Sequence, residues 1–593
     1  MTETVDSLLA HALRARSNAE AIVAPGRPPL TYAELGRQLE RDHDFLRRSG
    51  FGCRSRIGVA MPPGAEGLAV TAAVARSAAC AHVDPDLEID SLTRLISTMR
   101  LDGMIVPEGS ASNAARAARE LGIALIELST APVQPAGSHE LRTESGRTPA
   151  RPELPGPDDL AFIWHTSGTT GVPKIVPFEQ GRMCFDVRKR IARRRICGSD
   201  RGLLASTLTS AATPRTLLSN LAAGAATIHA AGLPPEDVIG AIESLGPTYY
   251  YAAPALHSRL AELIERRGGR LKHRLRVIYS SFADLSPDVR CRLEKALAVP
   301  MVVVYGMTEL GAIAETPLPP DVAPFGSVGR PVVELAIADA DGGFLAAGQD
   351  GEVWVRGPEV IGAYESPAQA NGESFRDGWF RTGDCGLVDG HGFLHLTGRL
   401  KDAINRGGVK VAPSEIELAL ESHPAVREAA AFARRHATLG EDVCAAVVFE
   451  DGRSASEAEL RRFVRHRLSA AKVPTRIVAA AAMPRNAAGK LKRTELAAFG
   501  EALLRQAWQR PQGQHEERMA EIFSRVLRLD DIGRGDQFFD RGGDSLRAVE
   551  LLERIQESFG VSLTMDDLLE SPSVAALAKL ISESAGLASG QPA

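Results

Sequence analysis

A segment rich in serine, threonine and glycine is the part of this sequence best suited to bind an anion. It has the sequence TSGTTGVPK and follows an apolar run. Glycines let the backbone approach a bulky anion, hydroxyls donate hydrogen bonds, and a lysine adds a charge that can reach a polyphosphate. The segment lacks the Gly-Lys-Ser/Thr ending of a Walker loop, so it predicts a polyphosphate site of another kind, with a chance Gly/Thr-rich turn as the alternative. The candidate residues are Thr166, Ser167, Gly168, Thr169, Thr170, Gly171 and Lys174.

A second candidate lies at the end of another apolar run, in the sequence YGMTE. Tyr305 can cover a flat base, and Thr308 can donate a hydrogen bond to a phosphate. Glu309 can hold a hard cation such as Mg²⁺, which prefers oxygen ligands. A strand-end turn with one solvated acid is the alternative interpretation.

Three further segments combine glycine with charged residues. Asp384, at the end of GWFRTGD, can accept hydrogen bonds from two vicinal hydroxyls such as those of a ribose, and Arg399 in GRLKD can add a fixed donor. The pair Gly407 and Gly408 suits a tight turn with close backbone approach. Lys490 ends the Gly-containing loop PRNAAGK. Each segment taken alone is typical of a surface turn.

The elements that must position these residues alternate between helix and strand. Thr31 and Glu34 form a capping-box pattern that begins an amphipathic run to about Leu46, and 67–81 has the pattern of a mostly apolar helix. Strands that alternate with helices imply parallel sheets covered on both faces. The predicted strands are 57–61, 103–106, 160–164, 248–252, 276–279 and 301–305.

The pattern changes in the second half of the chain. From about 328 to 396, short alternating segments broken by Gly and Asp turns predict antiparallel sheet, and a smaller α+β unit follows to about 500. The polar sequence RPQGQH at 510–515 indicates a linker. Beyond it, apolar residues at helical spacing predict a small bundle of three or four short helices.

Composition limits the class of protein. The chain has 593 residues, of which 44% are hydrophobic and 24% charged, and its formal net charge is −5. Such values are ordinary for soluble globular proteins, and the length predicts three to five domains at about 150 residues per domain. The acidic balance argues against a nucleic-acid binder. The basic run RKRIARRR at 188–195 is therefore interpreted as a solvated helix face.

The expected compartment follows from cysteine usage and apolar runs. Seven scattered cysteines without a CxxC pair favour a reducing environment. The amino terminus MTETVDS shows no secretory signal, and no uncharged apolar stretch reaches about 18 residues. We expect a cytoplasmic protein that binds neither nucleic acid nor membrane.

These five segments, in this order and at these intervals, resemble the ANL superfamily of acyl-CoA synthetases, nonribosomal peptide synthetase adenylation domains and luciferases. The resemblance covers about residues 10 to 500. The tail motif DRGGDSL, which contains Ser545, resembles the phosphopantetheine attachment motif of a peptidyl or acyl carrier protein, with a plain helix cap as the alternative. The resemblance implies a large α/β adenylation subdomain with an added antiparallel part over 1–398 and a mobile α+β subdomain over 399–503. A linker over 504–515 and an all-α four-helix carrier domain over 516–586 would follow.

The resemblance also implies a reaction. Members of this superfamily activate a carboxylate with ATP, forming acyl-adenylate and pyrophosphate, and typically pass the acyl group to a thiol. The segment 166–174 would then be the phosphate loop, with Lys174 near the leaving pyrophosphate. Tyr305 would stack on adenine, Thr308 would contact the α-phosphate and Glu309 would bind Mg²⁺.

The remaining nucleotide contacts would come from three residues nearer the carboxyl terminus. Asp384 and Arg399 are implied to hold the ribose, and Lys490 to bridge the carboxylate and the α-phosphate. A fixed cation there stabilises charge when two anions approach each other, so its removal should raise the barrier by several kcal/mol.

Domain movement and carrier loading are further implications of the resemblance. The hinge would lie near Lys401 and Asp402, and Gly407 and Gly408 would border a pantetheine tunnel. Ser545 would carry 4′-phosphopantetheine, with the phosphodiester at a helix amino terminus. A phosphopantetheinyl transferase would be one partner, and downstream biosynthetic enzymes would act on the acyl-carrier in trans.

One departure from the family bears on the substrate. Relatives that activate amino acids carry an aspartate that pairs with the α-ammonium, and that position falls near Ala211, with no acid from 203 to 233. Burying an ammonium without a counter-charge is costly, so an aryl, hydroxy, keto or aliphatic acid is favoured, although Asp284 keeps an amino acid open. The candidate pocket walls are Ala211, Tyr250, Tyr251, Ser281, Phe282 and Met307, each with a core residue as its alternative.

Three functions remain in contention. The leading hypothesis is a loading enzyme that acylates the phosphopantetheine arm of its own carrier domain, as in a nonribosomal peptide or polyketide loading module. The alternatives are an acyl-CoA ligase that releases acyl-CoA and a carrier scaffold whose adenylation part is inactive. The last is disfavoured because the Thr, Glu, Asp, Arg and Lys positions of the motifs are all filled.

Overall fold

The computed structural model describes residues 2–130, 133–144, 146–166, 173–268, 271–282, 285, 287–324, 326–407, 409–436, 439–485, 491–527, 529, 532–539, 541, 543 and 545–588. These residues form two compact units, and the division along the chain falls between Leu396 and Thr397. This division lies close to the predicted subdomain boundary at 398. The predicted mobile subdomain and the carrier are grouped together in the second unit.

The first part of the first unit alternates helices and strands. Its elements are α1 (Val5–Ala15), β1 (Glu20–Val23), β2 (Leu30–Thr31), α2 (Tyr32–Arg48), β3 (Arg56–Val59), α3 (Ala65–Ser77), β4 (Ala79–His82), α4 (Ile89–Met99), β5 (Gly103–Pro107), α5 (Asn113–Glu120), β6 (Ala124–Ser129), β7 (Glu140–Thr143), β8 (Leu160–Thr166), β9 (Lys174–Glu179) and α6 (Gln180–Arg194).

The alternation continues and then gives way to strands. The next elements are β10 (Arg201–Leu204), α7 (Ala212–Ala223), β11 (Ala226–His229), α8 (Pro235–Leu245), β12 (Tyr249–Ala252), α9 (Pro254–Arg267), β13 (Val277–Ser280), α10 (Pro287–Leu297), β14 (Met301–Met307), β15 (Gly311–Glu315), β16 (Arg330–Pro331), β17 (Glu334–Ala338), β18 (Gly351–Arg356), α11 (Gln369–Ser374), β19 (Phe375–Arg376), β20 (Trp379–Val388) and β21 (Leu394–Arg399).

Two large sheets with parallel centres confirm the expected α/β class. The seven-stranded sheet has the order β7-β6-β5-β3-β4-β8-β9, and the nine-stranded sheet has the order β16-β15-β14-β13-β12-β10-β11-β1-β2. Antiparallel pairs occur toward the edges, where β8 pairs with β9 and β14 pairs with β15. Both of these hairpins hold motif residues, so each sheet positions one candidate segment at its edge.

A third sheet confirms the predicted change to antiparallel pairing. It has the order β17-β18-β20-β19, with β21 paired to β20. β17, β18 and β20 pair antiparallel, and both faces of β18 are covered: Val353 and Val355 pack in the large core, while Trp354 packs in a separate cluster with Ala338 and Trp379. Asp384 lies within its longest strand, β20.

Local sequence accounts for the start of α2 but not for the end of α3. Thr31 caps α2 through the expected capping box with Glu34. The predicted helix over 67–81 was too long, because α3 ends at Ser77 and Ala79–His82 forms the buried strand β4. An Ala-rich apolar run fits a buried helix and a buried strand equally well, so pattern alone did not separate them.

The second unit begins with an α+β part. Its elements are β22 (Ile404–Arg406), β23 (Val409–Val411), α12 (Pro413–Glu421), β24 (Val426–His436), β25 (Gly440–Phe449), α13 (Glu457–Arg465), a 3₁₀ turn (Ala470–Lys472), β26 (Arg476–Ala479) and α14 (Arg493–Ala507). The sheet has the order β23-β22-β25-β24, with β26 parallel to β25.

Four helices follow and confirm the predicted all-α bundle. They are α15 (Gly513–Leu527), α16 (Ser545–Phe559), α17 (Met565–Glu570) and α18 (Val574–Ala588). Their apolar stripes meet in a single core that includes Phe523, Phe538, Leu551 and Leu577. α14 continues to Ala507 and α15 begins at Gly513, so both helices extend into the segment 504–515 that the sequence predicts as a linker.

Candidate functional site

The hairpin of β8 and β9 holds the two ends of the predicted phosphate loop. Thr166 ends β8 and is paired in register with Lys174, which begins β9. The intervening candidates Ser167, Gly168, Thr169, Thr170 and Gly171 lie outside the described residues. The pairing of β8 with β9 therefore fixes the positions of Thr166 and Lys174, the first and last residues of the predicted phosphate loop.

Lys174 is directed at an aromatic ring and a hydroxyl. Its Nζ lies 4.4 Å from the centroid of the Tyr364 ring and 3.3 Å from Ser374 Oγ. Ser374 is the last residue of α11, and Asn371 of the same helix accepts a hydrogen bond from the backbone of Tyr364 at 2.7 Å. The short helix α11 therefore orders both contacts of the lysine.

Glu309 contacts the hydroxyl group of the same tyrosine. The Tyr364 hydroxyl donates to Glu309 Oε1 at 2.7 Å, and the carboxylate is 4% exposed. Burial raises the pKa of Glu309, while the Tyr364 hydrogen bond and the charges of Lys174 and Arg215 oppose that shift. The structure thus joins two predicted residues, Lys174 and Glu309, through Tyr364, which the sequence reasoning did not identify.

The donor chemistry around Glu309 suits Mg²⁺ bound together with a nucleotide. A buried, hydrogen-bonded carboxylate gives the oxygen ligand that this cation prefers. The described part of the chain gathers no cluster of three or more His, Cys, Asp or Glu side chains. A cation at Glu309 would therefore take most of its ligands from phosphates and water, which is the usual arrangement for Mg²⁺.

Thr308 precedes Glu309 in the turn between β14 and β15. Its carbonyl accepts a hydrogen bond at 2.9 Å from Nη2 of Arg215, a residue of α7 that is 1% exposed. The hairpin is tight here, since a Cβ on Gly306 would lie 2.2 Å from the carbonyl oxygen of Gly311. A buried arginine and a glycine thus hold the backbone of the YGMTE segment.

Tyr305 and Asp384 form a second joined pair. The Tyr305 hydroxyl donates to Asp384 Oδ2 at 2.6 Å, and Asp384 is 6% exposed. Asp384 is held in turn by its own backbone NH, which donates to Thr382 Oγ1 at 3.1 Å. The two residues predicted to contact the base and the ribose are therefore adjacent.

The other predicted nucleotide residues belong to the second unit or are not described. Arg399 is the exposed last residue of β21, and Asp402 lies 3.5 Å from Arg493 Nε. Gly407 follows β22 with a φ of +57°, a conformation that favours glycine. Lys401 precedes Asp402 in the turn after β21. Gly408 and Lys490 lie outside the described residues.

Ser545 is the first residue of α16, a helix of 15 residues. The amino terminus of a helix offers free backbone NH groups and positive potential to a phosphate group. The next apolar residues of this helix face solvent, with Leu546 82% and Val549 49% exposed. The predicted attachment position thus begins a helix whose outer face carries apolar side chains.

The candidate substrate walls divide between two faces of the nine-stranded sheet. Tyr251 packs with Phe282, their ring centroids 5.6 Å apart, on the face that also holds Ala212. Tyr250 points to the opposite face, where its hydroxyl meets His257 Nδ1 at 3.0 Å among residues of α8 and α9. The prediction that both tyrosines line one pocket is wrong, because neighbouring strand residues face opposite sides.

The other candidate walls are not in the cluster of Tyr251 and Phe282, and two of them, Ala211 and Met307, pack against the large core of the first unit. Ala211 is the N-cap residue of α7, and its carbonyl accepts a hydrogen bond from Arg215 Nη1 at 3.3 Å. Ser281 is 9% exposed, and its backbone NH donates to the carbonyl of Ala252 at 3.3 Å. Met307 is half-buried at the end of β14. These positions remain candidates for contact with the acid.

Helix α6 corrects the interpretation of the basic run. Arg190 and Arg194 are buried, at 3% and 2% exposure, so the run is not a solvated face throughout. They lie four residues apart and continue the line of the buried Asp186, which places all three on one side of the helix. That spacing of charged residues, in phase with the buried Met183 and Val187, was the sequence signal for a charged interior.

Three family models match the chain. The AMP-binding enzyme model matches residues 9–365, the AMP-binding enzyme C-terminal domain model matches residues 415–490, and the phosphopantetheine attachment site model matches residues 517–581. The first covers more than half of the sequence. The chain therefore belongs to the AMP-binding enzyme family, as an ANL-type adenylation domain fused to a carrier domain.

Similar curated proteins are ligases. An oxalate–CoA ligase from Arabidopsis thaliana is 32% identical over 522 residues, covering 83% of this chain and 98% of that protein. A salicyl-AMP ligase/salicyl-S-ArCP synthetase from Mycobacterium tuberculosis is 31% identical over 509 residues, covering 82% and 89%. A probable CoA ligase from Humulus lupulus is 32% identical over 508 residues, covering 83% and 95%.

Solved structures share the fold. The amide bond synthetase McbA from Marinactinospora thermotolerans matches with a TM-score of 0.73 and 26% identity, covering 84% of this chain and 99% of that one. ATP-bound MatB from Rhodopseudomonas palustris matches with a TM-score of 0.74 and 24% identity, again covering 84% and 99%.

Together these findings define an AMP-forming ligase that uses ATP and carries 4′-phosphopantetheine, with Mg²⁺ as the usual metal of such enzymes. Its substrate is a carboxylic acid, and its carrier domain requires a phosphopantetheinyl transferase. Among the described helices, none is both long and apolar enough to cross a membrane.

Proposed function

We propose that this protein activates a carboxylic acid as its acyl-adenylate and transfers the acyl group to the phosphopantetheine arm on Ser545 of the same chain. It acts as a loading module of the nonribosomal peptide or polyketide type and passes the acyl-carrier to enzymes in trans. The observation that carries this proposal is that adenylation and phosphopantetheine-attachment matches occupy one polypeptide, at 9–365 and 517–581.

The side chains around Tyr364 support the first half-reaction. An acid carboxylate oxygen attacks the α-phosphorus of ATP, a new P–O bond forms, and the bond to the β-phosphate oxygen breaks to release pyrophosphate. Lys174 offers a cation to the departing phosphates, ordered by Tyr364 and Ser374. Lys490 is assigned the charge between the carboxylate and the α-phosphate, a position where fixed positive charge lowers the barrier.

The nucleotide is oriented by the second group of residues. Tyr305 covers the adenine, and Asp384, which already accepts the Tyr305 hydrogen bond, also accepts from the ribose hydroxyls together with Arg399. Thr308 donates to the α-phosphate from a turn that Arg215 holds in place. Such preorganisation lowers the entropic cost of bringing acid and nucleotide together.

Two bound groups complete the assignment. Glu309 would hold Mg²⁺, which would supply positive charge to the phosphates. Ser545 would carry 4′-phosphopantetheine, which would supply the thiol acceptor for the acyl group. Lys401 and Asp402 are proposed as the hinge between half-reactions, and the turn containing Gly407 borders the path of the arm.

The domain limits belong to the same proposal. The adenylation subdomains span 1–398 and 399–503, and the carrier spans 516–586. The helices α14 and α15 leave residues 508–512 as the connection. Five residues are a short link, so the proposal expects movement of the carrier to depend on bending at these residues.

The proposal is tested by following acyl mass on the holo-protein with ATP, Mg²⁺ and a panel of acids. Intact-protein mass spectrometry should detect one acyl group per chain, and Ser545→Ala should abolish it while ATP–pyrophosphate exchange continues. Ser582→Ala, a change to an exposed serine in the same bundle, is the matched control and should load normally. Acyl mass on the Ser545→Ala protein would contradict the assignment.

Lys490 provides an independent test of the first half-reaction. Lys490→Ala should lower exchange at least about a hundredfold, since a charge-stabilising group typically contributes several kcal/mol to the barrier. Lys492→Ala, which removes a nearby lysine paired with Glu495 at 2.9 Å, should leave exchange unchanged. Equal exchange by wild type and Lys490→Ala would favour an inactive scaffold.

A second function, release of free acyl-CoA, is favoured by the names of the similar ligases. With CoA added, steady production of acyl-CoA by the Ser545→Ala variant at the wild-type rate would establish it. Slow acyl-CoA release beside rapid carrier acylation would favour the loading module.

A further inference from the structure

The inner side of α6 carries three ionised side chains, and the two at its ends are compensated. Asp186 lies 3.1 Å from Arg215 Nε, and Arg194 Nη2 lies 2.7 Å from Glu315 Oε1. Arg193 also binds Glu315, at 2.7 Å. Both carboxylates near this side of α6, Asp186 and Glu315, therefore already pair with an arginine: Asp186 with Arg215, and Glu315 with Arg193 and Arg194.

Arg190 lies between them and differs in its partners. It is 3% exposed, and its Nε and Nη1 are buried with no hydrogen-bond partner among the residues that the structure describes. Three other arginines, Arg193, Arg194 and Arg215, already pair with the two carboxylates Asp186 and Glu315, and Arg190 adds a fourth cation to the same region. This interior therefore holds more positive than negative charge.

The charge of Arg190 persists despite its burial. Burial and then the neighbouring Arg194 lower the pKa of Arg190 to about 10, while Asp186 opposes the shift. The guanidinium is therefore still protonated at neutral pH. A buried cation whose donors lack acceptors destabilises a protein, so the two unpartnered donors of Arg190 favour a ligand that supplies acceptors.

Arg190 belongs to a charged cluster that contacts the backbone of residues in the proposed acid site. Arg215 donates to the carbonyls of both Thr308 and Ala211, so the charged cluster lies directly behind the proposed α-phosphate contact and a candidate substrate wall. Tyr251, another candidate wall, contacts the same cluster, since its ring centroid lies 5.6 Å from the guanidinium carbon of Arg194. Along α6, Arg190 is about 6 Å beyond Asp186, the partner of Arg215.

We propose that Arg190 binds a second carboxylate at the far end of the substrate, so that the acid activated by this protein is a dicarboxylic acid. The inference rests on the proposed adenylation. One carboxylate reacts beside Thr308, and the other remains ionised and pairs with the guanidinium, whose planar donors match a carboxylate in a bidentate arrangement. The absence of any acid from 203 to 233 agrees with a site for an anionic group and not for an ammonium.

The test compares diacids with their monomethyl esters, which keep the reacting carboxylate and remove the distal charge. Wild-type holo-protein is assayed by ATP–pyrophosphate exchange with succinate, glutarate, adipate, isophthalate and terephthalate, each beside its monoester. We expect at least one diacid to exceed its ester about a hundredfold in kcat/KM, because the ester leaves Arg190 unpaired.

Variants at Arg190 test whether this residue causes the preference for a diacid over its monoester. Arg190→Gln should remove the preference for the diacid and raise relative use of the ester, and Arg190→Lys should restore part of the diacid activity. Arg188→Gln is the matched control on the same helix, since Arg188 is exposed and pairs with Glu3 at 2.6 Å. It should keep the wild-type ratio of diacid to ester.

The outcomes separate this inference from the proposed function. Exchange with uncharged-tail acids but with none of the diacids overturns the dicarboxylate inference and leaves adenylation intact, as does a diacid preference that Arg190→Gln does not change. No exchange with any acid in a wider panel overturns the proposed function and the inference with it. If a variant fails to fold, the relative activity of the wild-type protein with each diacid and its monoester still tests the preference for a dicarboxylic acid.

Discussion

Helix α6 contains two buried arginines that differ in their hydrogen-bond partners. At its carboxyl end, Arg194 is 2% exposed at its side chain and binds Glu315, which also binds Arg193. One turn earlier, Arg190 is equally buried but has no hydrogen-bond partner at Nε or Nη1 within the described chain. Burial alone thus does not reveal the role of a charge. Removing one partner of a buried ion pair leaves an uncompensated charge, so Arg194 depends on Glu315, whereas Arg190 is proposed to pair with the substrate.

The carrier bundle extends this contrast. Its core consists of apolar residues such as Phe523 and Phe538. The Arg541 side chain is also buried, at 6% exposure, with its Nε 3.6 Å from Asp536 Oδ2. Ser545, the proposed attachment residue, begins α16 next to Leu546, which is 82% exposed. The adenylation unit thus buries a cluster of several arginines, whereas the described part of the carrier buries the Arg541 side chain beside a carboxylate.

The largest effect should come from breaking the compensated region. Glu315→Gln leaves Arg194 buried without its carboxylate, so we expect the free energy of unfolding to fall by about 3–5 kcal/mol, measured by urea denaturation. Glu334→Gln is the control, since Glu334 forms an exposed pair with Arg356 and its loss should not be measurable. Equal stability of Glu315→Gln and wild type would show that the pair does not stabilise the fold.

The same pair predicts a pH dependence. Burial opposes the ionisation of Glu315, but Arg194 and Arg193 outweigh it and lower the pKa of Glu315 from its ordinary value of 4.5 to about 2. A lowered carboxyl pKa contributes stability that is fully present above pH 4.5 and is lost as pH falls toward 2. The stability difference between wild type and Glu315→Gln should therefore shrink over that interval.

A smaller effect should follow from changing the environment of Glu309. In the wild type, the Tyr364 hydroxyl donates a hydrogen bond to Glu309 and so lowers the pKa of Glu309. Tyr364→Phe removes this hydroxyl and should raise that pKa. The carboxyl should then ionise at higher pH, so the acid limb of the exchange activity should move to higher pH, with about a tenfold loss at neutral pH. Tyr32→Phe, whose hydroxyl donates to Ala225 at 2.8 Å, is the control. An unshifted pH profile would mean that Tyr364 does not act through Glu309.

The smallest effect on stability should be at Arg190. Because this guanidinium forms no hydrogen bond at Nε or Nη1 in the described chain, Arg190→Gln should leave the melting temperature unchanged or raise it. A fall in stability comparable to that of Glu315→Gln would show that Arg190 stabilises the fold as Arg194 does, and that the two arginines of α6 do not differ in role. Thermal unfolding monitored by circular dichroism measures this difference.

Much of the fold could be predicted because local chemistry and tertiary packing agree. The capping box at Thr31, the buried apolar strands of 103–106 and 301–305, and the helical spacing of the carrier each describe one element, and each forms where expected. Boundaries were less predictable, as at Ser77, where α3 ends because the next residues pair with neighbouring strands as β4.

The candidate site was predictable only where its residues lie in motifs. Lys174, Glu309, Tyr305 and Asp384 were identified by type and spacing, but their partner Tyr364 lies in a segment without a motif. Tyr364 reaches Glu309 from 55 positions away in the sequence, through the placement of α11 and the third sheet. Its role therefore depends on packing and not on local pattern.

The amino-acid sequence by itself determined the family, the order of the domains and the residues whose types suit a nucleotide and a phosphopantetheine arm, because these depend on short segments with fixed spacing. Only the tertiary structure decided which charges are compensated. The spacing in α6 puts Arg190 and Arg194 on the same side of the helix, yet in the described chain Glu315 binds Arg194 and leaves Nε and Nη1 of Arg190 without a partner. The physical reason is that the cost of a buried charge depends on neighbours that folding brings from distant parts of the chain.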